Sequence, residues 1–168
     1  MTNSKRIAFY PGSFDPITNG HVNVVQRGLK MFDQVIIALA QNVSKTGLFT
    51  LEERQAIIRE VFCEQPEVEV LVFDGLMVNA AENAGAQVVL RGLRGVTDFE
   101  YEFQLATMNK RLLPELETVF LMTERDNFHV SSKLVREVAS LGGDVSGLVP
   151  PLVDRALTRR FASSKPTT

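Results

Sequence analysis

The sequence predicts an α/β fold, a doubly wound five-stranded parallel sheet in a single domain, and three observations carry that expectation. Short runs rich in Val, Ile, Leu and Phe recur along the 168 residues, and a segment of helical period follows each. Cap and stop signals such as Thr50-x-x-Glu53, Gly85 and Pro114 fall at the junctions. The length, with 45% hydrophobic and 23% charged residues, suits one domain that buries its core without a disulfide or structural metal.

Taken in order, Arg6 to Tyr10 reads as the first strand, and Val22, Val25, Leu29 and Phe32 then form one helical stripe at three- and four-residue steps. Gln34 to Ala40 is the second strand. Thr50 and Glu53 have the form of a capping box and open a helix that turns Ile57, Ile58 and Val61 inward. Val68 to Phe73 is the third strand. A helix from Met77 to Ala84 closes at Gly85, a residue suited to the left-handed conformation just past a helix end. Gln87 to Leu90 is the fourth strand. The segment from Asp98 to Leu112 places Phe99, Phe103 and Ala106 on one side and stops at Pro114, before a fifth strand from Glu117 to Met122. Ser131 caps a helix ending near Gly142, and a last helix from Pro151 to Phe161 packs on the sheet or on a neighbouring subunit. Residues 1–161 then make the domain, and 162–168 have the small, polar composition of a flexible tail. The architecture is Rossmann-like with C-terminal helices, and its ligands are expected at the carboxyl ends of the strands.

Composition removes several classes of function. A formal net charge of -2 without an evident basic stripe argues against nucleic acid as the main partner. Cys63 is the only cysteine, so no internal disulfide forms and a reducing, cytoplasmic location is expected. One Cys and two His leave no Cys/His zinc site. Met1 to Arg6 is polar and lacks the apolar stretch of a signal peptide, and no apolar run approaches the roughly 20 residues of a membrane span.

Four clusters carry chemistry. After the first strand comes Tyr10-Pro11-Gly12-Ser13-Phe14-Asp15-Pro16, then Thr18-Asn19-Gly20-His21 at a helix start. Gly12 and Gly20 let backbone approach a phosphate, and the helix N-terminus offers unpaired N–H groups. Taken alone, the same residues could be a Pro/Gly turn with a surface histidine. After the fourth strand, Arg91 and Arg94 flank Gly92 and Leu93, two forked guanidinium groups that suit phosphate oxygens or, alternatively, ion pairs with Asp98 and Glu100. Ser131 and Ser132 open a helix, where they either cap backbone N–H groups or donate to phosphate. Lys45 sits in Ser44-Lys45-Thr46-Gly47-Leu48-Phe49-Thr50-Leu51-Glu52-Glu53-Arg54, in a loop after the second strand.

Collinear over nearly the whole chain, these clusters resemble those of the phosphopantetheine adenylyltransferase family in the HxGH nucleotidyltransferase superfamily. The stretch from Arg91 to Glu102 carries the most distinctive match. Departures are Thr18 for the first His of HxGH, a variant found in that family, Ser13 for the usual Thr, Val130 for Ile, Lys133 for Ser or Thr, and the aromatic pattern of Asn127-Phe128-His129. The resemblance implies ATP contacts from Ser13, Phe14, His21, Gly92, Leu93, Arg94 and Glu102, and from Asn127, Phe128, His129, Val130, Ser131, Ser132 and Lys133. For the acceptor it implies Ser13, Lys45, Leu76, Met77 and Arg91. His21, as transition-state stabiliser, Lys45 and Arg94 are the implied catalytic residues.

The implied reaction is ATP plus 4′-phosphopantetheine giving dephospho-coenzyme A and pyrophosphate. The acceptor's phosphate is anionic at neutral pH, so catalysis rests on positioning and charge stabilisation rather than on a protein nucleophile. Mg²⁺ is expected to arrive on ATP, shared between phosphate oxygens, with no dedicated protein site. Family resemblance also implies a homohexamer and feedback inhibition by coenzyme A. Two alternatives stand beside this reading. One is a related adenylyltransferase for another phosphorylated acceptor such as nicotinamide mononucleotide, and the other is a non-catalytic nucleotide-binding module.

Overall fold

Five strands and six helices alternate along the computed structural model, which describes residues 5–41, 47–122 and 131–162 and, within them, leaves aside the side chain of Thr97. In chain order they are β1 (Ile7–Gly12), α1 (Asn19–Gly28), β2 (Gln34–Ala40), α2 (Leu51–Val61), β3 (Val68–Phe73), α3 (Met77–Asn83), β4 (Val88–Leu93), α4 (Val96–Leu112), β5 (Glu117–Met122), α5 (Ser132–Ser140) and α6 (Pro151–Ala162). All the strands are parallel, in the order β3-β2-β1-β4-β5. The expected doubly wound sheet is therefore present.

Period-two alternation sends neighbouring strand residues to opposite faces, and each face has its own core. Ala8, Tyr10, Val35, Ile37 and Leu39 face the layer of α1, α2, α5 and α6, where Val25, Ile58, Val135 and Leu157 are buried. Phe9, Ile36, Ala38 and Val89 face the other way, against Val78 and Ala81 of α3 and Leu116. On that side α4 lies against β5, with the rings of Phe99 and Phe120 5.9 Å apart.

The differences from expectation are local. β1 continues to Gly12, and β4 continues through Arg91, Gly92 and Leu93, which pair with Phe120, Leu121 and Met122 of β5. The arginine cluster thus begins on a strand rather than in the loop after it. α1 ends at Gly28, so Leu29 and Phe32 pack against the core from beyond the helix. α4 starts at Val96 rather than Asp98, and its Phe99 and Phe103 are exposed at 46% and 57%. Ala162 closes α6 instead of starting the tail, and residues 163–168 lie outside the described set. No helix among the described residues is long and apolar enough to cross a membrane.

The topology also places the opening. From β1 the chain winds outward through β2 and β3, then returns to β4 on β1's other side, so the winding reverses between β1 and β4. β1 pairs with β2 over six residues but with β4 only at Ala8–Val88 and Phe9–Val89. Beyond those pairs the two strands part at their carboxyl ends.

Candidate active site

Arg91 occupies the gap between β1 and β4. Its Nη1 donates to the carbonyl of Pro11 at 2.7 Å, while Nε and Nη2 form a two-pronged pair with Glu102 of α4 at 2.6 and 2.5 Å. Burial is the largest influence on this guanidinium and works against its charge, but Glu102, Tyr10 and Tyr101 together outweigh it, and the pKa is raised. Arg94 pairs with Asp98 one helical turn on, at 3.0 Å, and both are partly exposed. The ion-pair alternative therefore describes Arg94 and Asp98, whereas the partner of Arg91 is Glu102 rather than Glu100.

His21 is fixed by the turn after β1. A Cβ on Gly12 would stand 2.8 Å from the Phe14 ring, so this close approach needs glycine, and Phe14 itself has φ 44. The Asp15–Pro16 peptide is cis. Phe14 then lies edge-on to Tyr10 and to His21, with ring centroids 5.2 and 5.1 Å away. Thr18 is the N-cap of α1, and its hydroxyl accepts the His21 N–H at 3.4 Å. In return His21 Nδ1 accepts the Thr18 N–H at 3.0 Å and lies 3.0 Å from its hydroxyl. This is a capping box with His where Glu or Gln is usual. Because a backbone N–H can only donate, Nδ1 must be an acceptor, and the ring proton belongs on Nε2. Burial, then the charges of Arg94 and Arg91, push the His21 pKa down to about 4. At neutral pH His21 is therefore an uncharged N–H donor.

The other side of the turn is held from α2 and α5. Arg54 Nη1 donates to the Ser13 carbonyl at 2.8 Å, and Ser132 Oγ donates to the Pro16 carbonyl at 2.8 Å. Ser131 is the N-cap of α5 and accepts the Leu134 N–H at 3.1 Å. Arg136 donates to the Asp15 carbonyl and lies 3.4 Å from its carboxylate.

Two cavities meet at this turn. The smaller, about 480 Å³, brings together Ser13, Phe14, His21, Gly92, Arg94, Glu102, Ser132 and Lys133 from the expected nucleotide set, with Arg91. The larger, about 760 Å³, takes Ser13, Met77 and Arg91 from the expected acceptor set. Their shared wall is Pro11, Gly12, Ser13, Arg91, Glu102 and Arg136. Leu93 and Ser131 line neither cavity, and Leu76, the N-cap of α3, is 56% exposed and also lines neither. Lys45, Asn127, Phe128, His129 and Val130 lie outside the described residues. Sequence reasoning missed the anchoring roles of Asp15, Arg54 and Arg136, and missed Leu105, Ala106 and Asn109 of α4 on the larger cavity. Arg54 closes the segment that begins at Ser44, a signal that could have marked it.

A cavity walled by arginines and a neutral imidazole donor suits a polyphosphate, and its neighbour can hold a second ligand within reach of the first. Comparison with known proteins bears on which ligands these are. A cytidylyltransferase-like family model matches residues 9–138. Over 156 residues the chain is 60% identical to the phosphopantetheine adenylyltransferase of Anaeromyxobacter dehalogenans strain 2CP-C, covering 93% of this chain and 95% of that one. It is 53% identical over 158 residues to the enzyme of the same name from Syntrophotalea carbinolica, with 94% and 95% covered. Among solved structures, a proposed nicotinate-nucleotide adenylyltransferase from Vibrio parahaemolyticus superposes with TM-score 0.64 at 16% identity, over 92% of this chain and 99% of that one. At that identity the last likeness concerns the fold alone.

Proposed function

Because the chain belongs to the phosphopantetheine adenylyltransferase family, we infer that it transfers the adenylyl group of ATP to 4′-phosphopantetheine, giving dephospho-coenzyme A and pyrophosphate. The observation that carries the reading at the site is the pair of adjoining cavities with a common wall at the opening between β1 and β4. In this assignment ATP occupies the smaller cavity and the acceptor the larger, so the acceptor's phosphate reaches the α-phosphorus across Ser13 and Arg91.

A phosphate oxygen of the acceptor forms the new bond to the α-phosphorus, and the bond from that phosphorus to the bridging oxygen of the β-phosphate breaks. Pyrophosphate leaves with Mg²⁺, which enters as part of MgATP. The acceptor is already ionised, so the protein need not remove a proton. His21 Nε2–H donates to the α-phosphate as charge builds there. Arg94, Ser132 and Lys133 face the β- and γ-phosphates, together with the Gly92 backbone, while Ser131 caps the helix that presents Ser132. Phe14, Glu102 and the segment of Asn127, Phe128, His129 and Val130 belong to the nucleotide side. Lys45 and Ser13 hold the acceptor phosphate, Arg91 steadies it, and Met77 guides the pantetheine arm.

We also assign the protein to the cytoplasm, as a homohexamer inhibited by coenzyme A. Exposed Tyr101, Phe103, Met108 and Leu112 on α4 support subunit contacts there. Pyrophosphate release from MgATP tests the reading. It should require 4′-phosphopantetheine and be at least about a hundredfold slower with nicotinamide mononucleotide, whose nucleoside lacks the acceptor's long arm. Release independent of any acceptor, or equal with both, would remove the assignment.

A further inference from the structure

Asp15 is buried at the centre of this site, with 5% exposure, yet an anion there opposes the binding of phosphates. Both of its carboxylate oxygens are engaged by the protein. Oδ2 accepts the Leu48 N–H at 2.8 Å and Oδ1 the Phe49 N–H at 3.0 Å, which fastens the segment entering α2 to the turn after β1. Arg136 of α5 reaches the same residue at its carbonyl and at Oδ2. Gly47 fits the arrangement from the opposite side, since a Cβ there would come within 2.9 Å of Asp15 Oδ2. Asp15, Gly47, Arg54 and Arg136 all line the larger cavity, and Ser13, two residues from Asp15, lines both.

We propose that Asp15 is a positioning residue for the acceptor: its carboxylate locks the Gly47–Phe49 segment against the Ser13 turn and so sets where the acceptor phosphate comes to rest. Its charge is confined to backbone N–H groups and Arg136, so it orders the wall without contacting the incoming phosphate. On the nucleotide side His21, which lines only the smaller cavity, is anchored separately, on Thr18.

The proposal rests on the acceptor assigned above, and the experiment separates the two. Wild type, Asp15→Asn and Gly47→Ala are compared in steady-state pyrophosphate release, with folded fraction and Tm recorded for each. Asp15→Asn keeps size but presents an amide N–H₂ to one of two backbone donors. Gly47→Ala leaves the carboxylate and forces the segment away from it. Both should raise the KM for 4′-phosphopantetheine about tenfold or more while the KM for MgATP changes less than about twofold. A lower Tm with both KM values unchanged per folded enzyme would overturn the proposal, as would equal rises in both or a rise in only one variant. Wild type that fails to turn over 4′-phosphopantetheine would instead remove the assigned acceptor.

Discussion

At His21 the Nδ1 atom receives the Thr18 N–H, which leaves the ring with a proton on Nε2 and no free lone pair to attack phosphorus. Burial of the ring, with Arg94 and Arg91 nearby, has a consequence for stability. The folded value near 4 stands below the ordinary value of about 6.5 expected in the unfolded chain. Between those limits the unfolded chain binds more protons, so this group's contribution is complete above pH 6.5 and declines as pH falls toward 4. The Tm of the wild type should therefore drop from pH 7 to 5, and His21→Gln should flatten that drop. Gln suits the third helical position of a capping box, so the variant keeps the turn. An unchanged slope in His21→Gln would show that the ring is not held neutral by its surroundings. The sequence displayed His21 at a helix start, but a histidine in the Glu or Gln place of the box was not legible as a cap.

Among the elements, β2, β3 and β5 have the bounds expected from sequence, because each is an apolar, β-branched run between polar turns. β4 does not, since Arg91 and Gly92 have no strand signature of their own. Pairing with Phe120 and Leu121 of β5 extends the strand through them. α4 was legible as a helix but not in its burial, because apolar residues lie around much of its circumference and only some meet the sheet. Arg54 to Ser13 and Arg136 to Asp15 join residues 41 and 121 positions apart, and no local pattern encodes such contacts. At the end of α1, a Cβ on Gly28 would lie 2.9 Å from Leu90 Cδ2 and 3.2 Å from Val35 Cγ2, both core residues. Gly28→Ala should destabilise the protein by about 1–2 kcal/mol in urea titration, the overpacking exceeding the gain of about 1 kcal/mol in helix propensity. A more stable variant would mean that the helix has room to move off the sheet.

For the molecule as a whole, the reversal between β1 and β4 brings four separate chain segments to one opening: the turn after β1, the start of α2, the junction of β4 with α4, and the start of α5. The sequence showed which segments carried polar chemistry, while the division of the opening into two cavities depended on how α3 and α4 cover one face of the sheet. In the proposed reaction the acceptor attacks ATP directly, with no group of the protein carrying the adenylyl unit between them. The stereochemical course with chiral ATPαS tests that claim. A single in-line displacement predicts inversion at the α-phosphorus in the thiophosphate analogue of dephospho-coenzyme A, read from its phosphorus NMR signal after stereochemical assignment. Retention would require two displacements through an adenylylated side chain, and would contradict both the donor role of His21 and direct transfer between the cavities.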